Sequence, residues 1–378
     1  MFLFVFTTLA CMLSSALASS TPVSTAKRAI CTVNSVASSI NLLGCTSVII
    51  TAFNVPAGNT INITAAPDAS IVLAGSVTFA QTTTPGPLFT FNTSNALFNG
   101  NGFTFEGNGP RTSGGIFKPH PLVEFQGSGT FTNFNIKDSP AQAISIGMSA
   151  INKTLACGSD ASNLSYKCYI VVHCHPCRQT RTVIYSDQTG CQSERIPMAL
   201  VSQPVGISGV TVLNQGDCVA ITSGNNILFL RNQCIGGHGM SIGPIATGNN
   251  VSGVTFNGNF VSTSMYGARI NVNSNATNAS VCNITYTGNS ISANQKYGLL
   301  ITQSYPVDFG TPGTNSIISN ITFNGTPTQQ VISTGQNPVV GVNCGNCAGN
   351  WSWTSLNATG GIDLVLSGGV RLIFNGLS

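Results

Sequence analysis

Short apolar runs alternating one-in, one-out recur along the chain, each closed by Asn or Gly. They include Gly129-Thr-Phe-Thr-Asn-Phe-Asn-Ile, Asn226-Ile-Leu-Phe-Leu and a motif of the form [Ile/Val]-x-[Gly/Asn]-[Val/Ile]-Thr-[aromatic/Val]. That motif appears four times, beginning at Ile207, Val251, Val281 and Ile318. Period-2 alternation predicts half-buried strands, and Asn-Gly, Gly-Asn and Ser-rich stretches predict the turns between them. Amphipathic helical windows are almost absent beyond the first residues. A β-sandwich spaces its strands at roughly 8–12 residues with hairpin turns. The wider, irregular recurrence of related strands here predicts a solenoid, all-β and parallel, in which each coil stacks on the next and like residues form interior ladders. Such a stack is one continuous domain, and it leaves a long face between loops suited to a polymer.

The N-terminus reads differently. Met1 to Leu13 is too short for a membrane span and leads to Ala16-Leu17-Ala18, the small-residue pattern of a signal-peptide cleavage site. Residues 1–18 are therefore expected to be a signal peptide and 19–28 a propeptide, ending at the dibasic Lys27-Arg28, with the β-helix occupying 29–378. Export changes how the composition is read. Charged residues are only 6% of the chain, against about a quarter in an average soluble domain. Ser, Thr, Asn and 41 Gly fill the gap. Sequons at Asn62, Asn92, Asn250, Asn275, Asn278, Asn283, Asn320, Asn324, Asn350 and Asn357 suit an extracellular glycoprotein. The net charge of +4 is diffuse, which argues against nucleic acid as a partner, and no later segment is long and apolar enough to predict a membrane span. Thirteen cysteines in an exported chain favour disulfides over a reduced metal site.

One stretch, about 152–204, breaks the texture. Tyr166-Lys-Cys-Tyr-Ile-Val-Val-His-Cys-His-Pro-Cys-Arg-Gln-Thr-Arg clusters Cys, His and basic residues without Gly. Zinc held by His173, Cys174, His175 and Cys177 is disfavoured, because adjacent ligands close a tetrahedron poorly. A disulfide-rich insertion fits better. A retained intron or shifted reading frame fits better still: reading from the third base of the Arg195 codon, suitable synonymous codons through Leu200 spell Asn-Thr-Asp-Gly-Phe. A transcript that reads Arg195-Ile-Pro-Met through this region would remove that explanation.

Three constellations carry the candidate chemistry: Asn214-Gln-Gly-Asp217-Cys218, then Cys234-Ile-Gly-Gly-His238-Gly, then Tyr266-Gly-Ala-Arg269-Ile-Asn271. Singly, each has an ordinary structural explanation as turn or surface. In this order in an exported β-helix they resemble the fungal polygalacturonases, pectin-hydrolysing glycoside hydrolases that carry Asn-Thr-Asp, Asn-Gln-Asp-Asp-Cys, Gly-Gly-His-Gly and Arg-Ile-Lys. Gly100-Asn-Gly-Phe-Thr-Phe-Glu-Gly-Asn-Gly-Pro, Lys118-Pro-His-Pro, Tyr297-Gly with Tyr305, and Val342-Asn-Cys-Gly extend the likeness over most of Cys31 to Trp353.

The resemblance implies a right-handed parallel β-helix of the pectin-lyase type. It also implies hydrolysis of α-1,4-galacturonosyl bonds with inversion, without cofactor or metal, by a secreted monomer acting on polygalacturonate; endo action is the default, since nothing in the sequence closes the cleft. Inversion takes one carboxylic acid on the leaving oxygen and a carboxylate on the water, roughly 6.5–9.5 Å apart. Carried over residue by residue, Asp217 matches the second aspartate of the pair and His238 the histidine, both catalytic. Arg269 and Tyr297 match substrate-binding positions. The resemblance also implies disulfides Cys31–Cys45, Cys218–Cys234 and Cys344–Cys347. Three positions depart: Gly216 stands in place of the acid, Asn271 in place of the Lys, and the Asn-Thr-Asp is missing. Loss of general acid catalysis commonly costs 10²–10⁴-fold. A noncatalytic pectin-binding protein or pseudogene product is the alternative, and a structural β-helix such as an adhesin would have no reason to keep His238 and Arg269.

Overall fold

Branched and aromatic residues at every second position build the strands, and Asn or Gly in the left-handed region ends many of them, as at Asn133 (φ 55°) and Gly258 (φ 65°). The computed structural model describes residues 29–39, 41–109, 121–147, 204–292, 294–331 and 339–360, with the backbone alone of 365–367. Over these residues the chain is a parallel β-helix, and one turn of 3₁₀ helix at Ala37–Ser39 interrupts the strands near its start. Ten short strands, from Phe53–Val55 to Leu356–Thr359, form one continuous sheet. The face that carries the candidate residues is built from Val123–Thr132, Ile144–Ile146, Val219–Ile221, Met240–Ile245, Tyr266–Asn273, Tyr297–Tyr305 and Val340–Asn343. These strands pair in parallel with Ile144, Val219, Met240, Ala268, Leu299 and Val340 in one row.

Alternation then sorts the side chains. Val219, Ile221, Met240, Ile242, Ile270, Leu299 and Ile301 point inward and are fully or almost fully buried. Each such side chain contributes roughly 1.5–3 kcal/mol on leaving water. Between them, Ala220, Ser241, Arg269 and Leu300 form a register row of the opposite parity. Like also stacks on like. Phe229, Phe256, Tyr286, Phe323 and Trp353 make a buried aromatic column with successive centroids 6.0, 5.1, 4.8 and 5.2 Å apart.

Three of the four motif repeats, beginning at Val251, Val281 and Ile318, lie in register. The first does not. Ile207 pairs with Phe229, and Gly209 (φ 63°) turns a corner inside the motif, so that Val212 joins the ten-stranded sheet beside Cys234.

At the next corners a buried amide ladder runs across coils. Asn232 Nδ2 donates to Asn259 Oδ1 at 3.1 Å, and Asn259 Nδ2 to Asn289 Oδ1 at 2.9 Å. Each amide also caps a carbonyl, Asn259 that of Phe229 at 2.9 Å. Asn259→Ala leaves the Phe229 carbonyl and donors of Asn232 unsatisfied. It is expected to lower unfolding stability by about 2–4 kcal/mol, read as a lower urea midpoint. An unchanged midpoint would show that water replaces the amide.

Residues 1–28, with the expected leader and dibasic site, lie outside the described residues. So does the aberrant stretch apart from Pro204, and with it the cluster from His173 to Cys177 and the frame explanation. The coils on either side nevertheless stack directly: Ile144–Ile146 pairs with Val219–Ile221 and Val205–Ser208 with residues 129–132. Asn214 Nδ2 donates to the Ala141 carbonyl at 3.2 Å across 73 residues, whereas the later ladder contacts span 27 and 30. Disulfides join Cys31 to Cys45, Cys218 to Cys234 and Cys344 to Cys347. Cys282, not singled out from the sequence, is also disulfide-bonded.

Candidate active site

The corner leading into this sheet brings the constellations onto adjacent coils. Backbone hydrogen bonds run from His238 N to Gly216 O (2.9 Å), Met265 N to Gly237 O (2.7 Å) and Lys296 N to Met265 O (2.9 Å). Asp217, His238, Tyr266 and Tyr297 thus follow one another from coil to coil. The Gly-Gly-His-Gly turn needs its glycines: Gly236, Gly237 and Gly239 have φ of 78°, 70° and 72°. A Cβ on Gly237 would overlap the Gly216 carbonyl. Free of Cβ atoms, the turn passes close over the neighbouring coil with His238 in its middle, about a third exposed.

Asp217 is almost fully buried, and Arg269, from the strand two coils on, is nearly as buried. Arg269 Nη2 donates to Asp217 Oδ1 at 2.8 Å and Ser241 Oγ donates to the same oxygen at 2.7 Å. Among the described residues no donor reaches Oδ2. His238 Nδ1 lies 3.9 Å from Oδ1, in contact range but beyond a hydrogen bond. Burial pushes the His238 pKa below its ordinary value, Asp217 opposes that, and Arg269 and Lys296 add to it. The neutral imidazole is therefore favoured more than in a free histidine.

An aromatic stack continues the site. Tyr266 lies parallel to Tyr297 (centroids 6.1 Å, 4°), and Tyr297 stacks on Phe309 (5.9 Å, 23°). The Arg269 guanidinium sits 4.8 Å from the Tyr266 centroid, and His238 meets the same ring edge-on at 6.2 Å. The Tyr266 hydroxyl donates to both oxygens of Asp308, at 3.0 and 3.2 Å. Burial, reinforced by Asp308, pushes its pKa far up, so this hydroxyl stays a donor.

The parallel coils place a buried carboxylate–guanidinium pair beside a partly buried histidine, and comparison over the whole chain decides the family. The sequence profile of glycosyl hydrolases family 28 matches residues 45–367. The chain belongs to that family.

Among family 28 relatives, endopolygalacturonase I of Aspergillus aculeatus is 29% identical over 335 residues, 84% of this chain and 80% of the relative. Endopolygalacturonase I of Aspergillus niger is 30% identical over 356 residues, 89% and 88% of the two chains. The structure of endopolygalacturonase I from Stereum purpureum, solved with two galacturonates, superposes with a TM-score of 0.68 at 37% identity, covering 92% of this chain and 99% of that one. Family 28 membership makes the chain a glycoside hydrolase by descent.

Of the residues singled out in the sequence, the structure brings Asp217, His238 and Arg269 together, with Tyr297 next along through Tyr266. Asn271 is fully buried and neither amide atom has a partner among the described residues, so it presents no cation to the cleft. Ser241, Tyr266, Lys296 and Asp308 were not anticipated. The register offers a signal for Ser241, which pairs with Arg269 and so shares its side of the sheet. No pattern marks Asp308, which sits in a loop. Asp217 and Asp308 contact this cluster, and Glu124 shares the register row of Ser241 and Arg269 through Ser145 and Ala220.

Proposed function

We propose that the chain is a secreted, monomeric polygalacturonase-type glycosidase acting on polygalacturonate, without cofactor, its hydrolysis slowed because Gly216 leaves out the general acid. Asp217 would activate the water for an inverting displacement, His238 would support protonation nearby, and Arg269 with Tyr297 would hold a galacturonate. The observation that carries this reading is the convergence of Arg269 and Ser241 on one oxygen of Asp217 beside His238. The two galacturonates in the structure of the Stereum relative support the choice of ligand.

Gly216 itself favours a second reading, a pectin-binding protein without activity. A Cβ there would overlap the Ala141 carbonyl, so the position has no room for any acid. Release of reducing ends from polygalacturonate by the purified protein tests both. The missing acid alone is expected to lower the rate by about 10²–10⁴-fold against a family member that has it, and the missing Asn-Thr-Asp to lower it further. Binding without any release establishes the second reading, and absence of both binding and release removes the two together.

A further inference from the structure

We propose that Lys296 supplies the second cation of the substrate-carboxylate site, in the place of a lysine at position 271. The inference rests on the reading of the cleft as a polygalacturonate site. Recognition of a sugar carboxylate at a buried arginine gains from a second positive group that can approach the same anion. Asn271 cannot be that group, being neutral, fully buried and sealed beneath neighbouring coils.

Four basic side chains are described, and two stand elsewhere. Lys137 pairs with Glu106 at 3.1 Å on the ten-stranded sheet, and Arg231 occupies a corner beside Gly258. The other two face the same ring: the Arg269 guanidinium at 4.8 Å and Lys296 Nζ at 5.8 Å from the Tyr266 centroid. Lys296 precedes Tyr297, whose ring stacks on Tyr266, so both cations border the same aromatic pair. Half of the Lys296 side chain is open to solvent. It has one anionic contact, Asp308 Oδ2 at 3.5 Å, and Asp308 is itself fixed by the Tyr266 hydroxyl. Arg269 Nε has no partner among the described residues. Asp308 therefore steadies Lys296 beside the Tyr266 ring and yields part of that contact to an incoming carboxylate.

The test is titration calorimetry of the full-length protein with polygalacturonate and with fully methyl-esterified pectin, at several salt concentrations. Lys296→Gln is expected to bind polygalacturonate about tenfold more weakly, the scale of a hydrogen bond to a charged group, with a shallower salt dependence. Its binding of the esterified polymer should not change. Lys296→Arg should restore most of the affinity for the free acid, and Asp308→Asn, which releases Lys296, should tighten it about threefold. Lys296→Gln binding with wild-type affinity and salt slope would overturn the inference while leaving the cleft's function standing. Equal weakening toward acid and ester would assign Lys296 a structural role and overturn it too. A wild-type protein that binds no polygalacturonate removes the functional reading, and this inference with it.

Discussion

Replacing Asp217 by alanine is expected to cost about 3–5 kcal/mol of stability as well as all carbohydrate hydrolysis. The figure is that for removing one partner of a buried ion pair, because the surviving charge stays buried without compensation. Arg269 is in that position. Its side chain is only 8% exposed, its Nε already lacks a partner, and Asp217 is its single anionic contact. Ser241 loses its acceptor in the same substitution. Asp217→Asn isolates the charge: an amide oxygen can still accept from Arg269 and Ser241, so about half the stability should return while hydrolysis does not. Urea unfolding of the three proteins measures this, with the wild-type slope retained. An alanine variant unfolding at the wild-type midpoint would mean that water or a shifted side chain neutralises Arg269, and that the pair adds nothing to the stack.

The parallel β-helix was legible because its two determinants, alternation and recurrence, are written directly in the chain. Where the reading slipped, the reason was geometric. The motif at Ile207 follows the same pattern as those at Val251, Val281 and Ile318, and Gly209 has the same left-handed φ as Gly253, Asn283 and Asn320, yet Gly209 lies at a strand end and the other three lie within strands. The buried ladder of Asn232, Asn259 and Asn289 was equally hidden, since asparagine closing a strand at an exposed turn and asparagine bonding inside a corner look alike in sequence. Asp217, His238 and Arg269 could be found because their order along the chain is the order of coils along the axis. Tyr266, Lys296 and Asp308 could not. They meet only because loops of unequal length return each strand to register, and the contact from Asp308 to Tyr266 spans 42 residues. Of these three only Tyr266 stands on a paired strand, opposite Tyr297, while Lys296 and Asp308 flank the strand Tyr297–Tyr305, so loop placement completes the set.

Restoring an acid at position 216 is expected to fail. Gly216→Asp puts a Cβ where the Ala141 carbonyl already lies and 2.9 Å from Gln142 N, both backbone atoms that no rotamer change can move. Escape in the other direction is closed as well. The Gly216 carbonyl accepts from His238 N at 2.9 Å, and Gly237 is packed against that same carbonyl. Overpacking of this kind commonly costs about 1–3 kcal/mol. Gly216→Ala should therefore lose as much stability as Gly216→Asp, because the clash begins at Cβ and not at the carboxylate. Neither variant should release reducing ends faster than wild type. The obstacle is the coil stacked on this one, residues 138–147, whose Ala141 carbonyl also accepts from Asn214 at 3.2 Å. A Gly216→Asp protein as stable as wild type and a hundredfold faster on polygalacturonate would show that this coil yields. The missing acid would then be the chain's main catalytic defect. An unstable, inactive variant places the defect in the stacking of the coils, where one substitution cannot repair it.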